Sequence, residues 1–70
     1  MDNKNGFRIT TKYRLIRAWE SSAELAKLFE AYHHDTDGDE RIKEIFSSFA
    51  KEEAVHAAEL LKIIREKYPE

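Results

Sequence analysis

The chain has no cysteine, one proline and two glycines in its 70 residues. Without cysteine no disulfide braces the fold, and no thiolate is present to hold zinc or an iron–sulfur cluster. With Gly6, Gly38 and Pro69 as the only backbone breakers, two long stretches are left uninterrupted. No apolar run approaches the ~18 residues of a membrane span, so no membrane association is expected. A basic excess is missing too. Twelve Lys and Arg stand against 14 Asp and Glu, a formal charge of −2, which argues against nucleic acid as a partner. There is no Gly-rich phosphate loop and no nucleophile–base–acid set. Residues 1–11 lack the basic-then-apolar pattern of a signal peptide, and the expected localisation is cytoplasmic.

What the sequence does contain is helical periodicity. Residues 1–10 are polar and read as a flexible N-terminal arm, with Thr10 or Thr11 as the first helix cap. From about 12 to 34, Leu15, Ile16, Trp19, Ala23, Ala26, Phe29 and Tyr32 recur at helical spacing, with Leu25 and Leu28 widening the face. The segment 35–39, Asp-Thr-Asp-Gly-Asp, reads as a turn in which Asp37 or Asp39 caps the next helix. That helix is expected over about 40–67, with Glu40 in its first turn and Lys62, Arg65 and Lys67 in its last turns, where each charge suits the dipole. Pro69 ends it. Residues 11–70 therefore predict an all-α fold, an antiparallel helical hairpin. A chain of 8.3 kDa with 37% charged residues buries little apolar surface alone. Two wide-faced helices do not enclose a core, so the hairpin is expected to dimerise into a four-helix bundle, twofold dimers being the commonest oligomers.

The chemistry lies in the second helix. Glu53 and His56 sit at i, i+3 in the middle of the stripe formed by Ile42, Ile45, Phe46, Phe49, Leu60, Ile63 and Ile64. Periodicity points both into the packed face, where a carboxylate and an imidazole are costly unless paired. A metal ion is one partner that meets that need. A second copy related by a two-fold axis supplies two imidazoles and two carboxylates, and one first-helix acid per chain completes a carboxylate-rich di-metal ligand set. One imidazole among oxygen ligands favours iron or manganese by ligand type, and zinc by affinity.

Glu20, Glu24 and Glu30 all lie near the apolar face of the first helix. Glu30 is the most central by periodicity. Counting outward from a turn near Gly38 sets Glu53 and His56 level with about residues 20 to 23. That places Glu20 or Glu24 at the right height and Glu30 too near the turn. Glu30 and His33 form a second Glu-x-x-His, expected as a surface or secondary ion site. A calcium loop over residues 35–46 is not expected, because the glycine is fourth rather than sixth and the twelfth residue is Phe46; a helix-capping turn explains these residues.

The stretch from Glu20-Ser21-Ser22-Ala23 through Ile42, Ile45-Phe46, Ala50, Glu53 and His56-Ala57 resembles the first helix pair of rubrerythrin and related ferritin-like proteins. The second helix, with Asp39-Glu40, the run from Glu52 to Ala58 and Leu60-Leu61, is also similar to encapsulated ferritins, two-helix chains that assemble a di-iron site across a dimer interface. The resemblance covers about residues 15–66. It implies Glu20, Glu53 and His56 as metal ligands and as the catalytic residues, with Glu53 bridging two irons. An alignment to encapsulated ferritins with a one-residue gap chooses Glu24 in place of Glu20. The implied function is a di-iron oxidoreductase or ferroxidase that oxidises Fe(II) with oxygen or peroxide for iron storage or detoxification. The implied partners are a second copy or a higher homo-oligomer, and an encapsulating shell protein. Lys27 stands where many relatives carry an aromatic residue. The other reading is a metal-free helical dimerisation module, in which Glu53 and His56 bond to each other.

Overall fold

The computed structural model describes residues 10–69. The expected arm over residues 1–10 lies outside these, apart from Thr10. Two helices account for the described structure, α1 (Thr11–Asp35) and α2 (Glu40–Lys67), and among the described residues there is no strand.

Each helix boundary has a local cause. Thr10 caps α1, its hydroxyl oxygen accepting from the Tyr13 N–H at 3.1 Å. At the other end the Thr36 N–H and hydroxyl both donate to the Tyr32 carbonyl, at 3.0 and 2.7 Å, which satisfies one of the open carbonyls of the last turn. Gly38 then turns the chain with φ +81, a region that L side chains avoid. Asp39 caps α2 by accepting from the Arg41 and Ile42 N–H groups at 3.0 and 3.2 Å. Tyr68, which precedes Pro69, leaves helical geometry and ends α2.

The helices run antiparallel. Near the turn, His33 Nδ1 lies 2.9 Å from the Lys43 carbonyl oxygen. At the open end, Lys12 Nζ sits 5.8 Å over the Tyr68 ring. Ala50 and Ala57, seven residues apart on α2, are the only buried residues among those described. Their small side chains let α1 approach. Phe29 extends the contact toward the turn, stacked on Phe46 at 6.3 Å and edge-on to Phe49 at 5.6 Å. Trp19, Ala23 and Ala26 of α1 and Leu60, Leu61 and Ile64 of α2 are partly covered.

The result is a layer one helix thick. Its large exposed apolar side chains are not spread evenly. Leu25, Leu28 and Tyr32 of α1 and Ile42, Ile45, Phe49 and Ile63 of α2 are all 37–44% exposed. Ser22 lines one groove with His56, Leu60 and Ile63, which fixes the flank of α1 that shares this side. Leu25 and Tyr32 follow Ser22 about 60° and 80° further round, at the edge of this side, and Leu28 about 120° round, on the outer flank with Glu24 and Lys27. The opposite side is lined by Ala26, Lys27, Glu30, Ala50, Lys51 and Ala54, small or charged side chains.

Removing the α2 cap by Asp39→Ala is expected to lower stability by about 1 kcal/mol. Ala50→Leu is expected to cost about 1–3 kcal/mol by forcing the helices apart. Denaturant unfolding at one fixed protein concentration measures both.

Candidate metal centre

The stripe that α2 presents to α1 is centred on Ala50 and Ala57. Glu53 stands three residues from the first and four from the second, at the edge of that stripe. Its side chain is 23% exposed. His56 is six residues from Ala50, about 60° further round than Glu53. Its side chain is 57% exposed, on the same open face as Phe49 and Ile63. The sequence places both residues in a packed face. Within one hairpin only Glu53 is partly packed, because the face that carries His56 has nothing against it.

His56 Nδ1 lies 3.4 Å from Glu53 Oε1. That is long for a strong hydrogen bond. The donor set, one imidazole nitrogen and one carboxylate, suits a first-row metal by its chemistry. Two donors do not saturate such an ion. Among the described residues no three His, Asp or Glu side chains of one chain come together as a metal cluster.

The first-helix acids stand elsewhere. Ser22 shares its groove with His56, and Ala26 shares the opposite one with Ala50 and Ala54. Glu53 and His56 are therefore level with about residues 22 to 25. Glu24 is at that height, on the outer flank of α1 beside Leu25, Lys27 and Leu28. Glu20 lies about a turn nearer the open end and pairs with Arg17 at 3.6 Å, both well exposed. Neither is gathered with Glu53 and His56 in a single hairpin.

The secondary pair Glu30 and His33 is not brought together, and that expectation is corrected. Glu30 pairs with His34 instead, at 3.2 Å across i, i+4. His33 faces α2, where its ring Nδ1–H donates to the Lys43 carbonyl, since a carbonyl only accepts. This cross-helix bond was not legible beforehand, because it depends on how the turn sets the two helices. The apolar row on α2 was legible, though not that it stays open. Ile42, Phe49, His56 and Ile63 fall every seven residues, and that period marks a face for another helix.

His33→Ala is expected to destabilise the hairpin by about 1 kcal/mol through the lost bond to Lys43. His34→Ala, which breaks only an exposed pair, is expected to leave stability within about 0.5 kcal/mol of wild type. Compared with known proteins, the chain matches no family model, no curated protein and no solved structure.

Proposed function

We propose that this chain is a ferritin-like di-iron protein whose metal site is assembled between two copies and whose activity is oxidation of Fe(II) by oxygen or peroxide. One observation carries the reading. The ligand pair Glu53 and His56 lies where the closed side of the hairpin meets its open apolar face. A second hairpin on that face removes both groups from water, and it brings a second Glu53 and His56 with it. The resemblance of residues 15–66 to rubrerythrin and encapsulated ferritins points the same way.

Within this reading the residues have distinct tasks. Glu53 contributes two carboxylate oxygens and negative charge, which offsets the cost of holding a cation away from water. His56 contributes one neutral nitrogen and restrains the geometry, since its ring is tethered one turn from Glu53. The apolar side chains around them exclude water once the face is covered. A first-helix acid supplies the remaining oxygen ligands. The resemblance implies Glu20, and the hairpin register favours Glu24. Bound iron supplies the electron transfer, each Fe(II) giving one electron to the oxidant. Manganese or zinc suits the same donors. Iron storage, as distinct from detoxification, calls for a larger homo-oligomer or a shell protein around the dimers, and the cytoplasm is the setting proposed.

The alternative is a dimerisation module that needs no metal. It is favoured by the direct approach of His56 to Glu53, which is within reach of a weak hydrogen bond. The two readings separate when Fe(II) is added in air and the absorbance of ferric product is followed. Glu53→Ala/His56→Ala is expected to slow the reaction by at least the 10–100-fold typical of damage to a metal site's supporting partners. Equal rates for wild type and the double variant would leave only the metal-free module. Of the single variants, the one of Glu20→Ala and Glu24→Ala that matches the double variant identifies the first-helix ligand.

A further inference from the structure

We infer that the N-terminal arm folds back and seats Phe7 and Ile9 in a groove at the open end of the hairpin, on the side away from the apolar face. The groove is lined by Leu61, Ile64, Arg65, Tyr68 and Pro69. Leu61 and Arg65 follow Ala54 at seven and eleven residues, within about 20° of it around the helix. Ala54 lines the side of alanines and lysines, so the groove continues that side. Its character changes there. Small side chains give way to Leu61, Ile64 and Tyr68, which α1 covers only in part. The proposed second copy sits on the other face, so this contact neither needs that copy nor competes with it.

Reach selects the arm as the occupant. Lys12 Nζ over the Tyr68 ring sets the first turn of α1 level with Tyr68. Residues 1–9 lie outside the described structure, and Thr10 stands about 3 Å beyond that level. Measured from Thr10 along α2, Arg65 is about 8 Å deep and Leu61 about 14 Å. Phe7 is three residues before Thr10, a reach of about 10 Å in extended chain, which ends between the two. Ile9 then comes to Tyr68 and Pro69.

Pattern agrees. Among residues 2–9, Phe7 and Ile9 are the only large apolar side chains. Two residues apart, they share one face of an extended segment and leave Arg8 on the other, toward water. Their spacing of about 6.6 Å is close to the ~6 Å that one turn of α2 puts between Leu61 and Arg65. Arg65 adds an alkyl stem and a guanidinium plane, both suited to the Phe7 ring. The tether matters as well. A short linker holds the two side chains at an effective concentration in the mM range, which a separate partner must exceed.

Disulfide trapping tests the contact without background, because the chain has no cysteine. Asn5 shares the face of Phe7 and Ile9, and its reach of about 17 Å from Thr10 brings it level with Ala58. Ala58 is exposed and stands between Ala54 and Leu61 on the groove side. Its neighbour Glu59 lines the open groove with His56 and serves as the control. These pairs leave Phe7, Ile9 and the groove intact, and circular dichroism checks that each variant folds. Under mild oxidation, Asn5→Cys/Ala58→Cys is expected to close within one chain at least about tenfold faster than Asn5→Cys/Glu59→Cys. Adding Phe7→Ser and Ile9→Ser is expected to remove the difference. Equal rates for the two pairs with Phe7 and Ile9 in place would overturn the docking. Disulfides that join two chains in place of closing one would overturn it too, by putting the arm on a second copy. Either result leaves the Fe(II) test of the shared site to stand or fall by itself.

Discussion

A layer one helix thick has two faces and no interior, and that constraint governs this protein. Ala50 and Ala57 let α1 and α2 close against each other, but closing two helices covers only the stripe where they meet. A stable helical domain covers its remaining apolar surface with a second layer. Here one side is dressed with alanines, lysines and a glutamate, which water tolerates. The other carries leucines, isoleucines and aromatic rings at about two-fifths exposure. So much exposed apolar surface on one side of so small a chain is what the proposed second copy would cover.

In the proposed reading, the same constraint decides how the site would work. A carboxylate and an imidazole on an open face are hydrated and cost little. Covering the face strips their water, and the cost then has to be met by a hydrogen bond, a counter-charge or a metal ion. Glu53 and His56 sit where that change is greatest, at the seam between what is already covered and what is not. A site with this placement links ligand binding to association. An ion that needs donors from both copies holds the copies together, and copies that come together create the place for the ion.

Much of this was legible in the sequence, for definable reasons. Two long periodic segments around a Gly-containing acidic turn leave few alternatives to a hairpin, and Asp39, Gly38 and Pro69 carry their turn chemistry openly. The pairing of Glu53 with His56 follows from spacing alone. Burial does not follow in the same way. Periodicity reports that Phe49 and His56 lie on an apolar face, yet it does not say whether the covering helix belongs to the same chain. The wide stripe of α2 is really two stripes, one met by α1 and one open. Likewise His33 stands one helical turn from Glu30, and local spacing favours their pairing, but the Lys43 carbonyl across the hairpin takes the ring instead. Contacts between helices depend on rotation about the turn, which no single-helix pattern contains. The choice between Glu20 and Glu24 is of this kind, since a shift of two residues in register moves the preferred height by about 3 Å.

The account's central claim is that the metal site is completed only by two chains. Its most direct test is sedimentation equilibrium of the wild-type protein, without oxygen, in the presence and absence of Fe(II). If each ion is held by donors from both copies, linkage requires Fe(II) to lower the dimer dissociation constant, and the effect must vanish in Glu53→Ala/His56→Ala. A dissociation constant unchanged by saturating Fe(II), or iron bound stoichiometrically by a monomer, would contradict it.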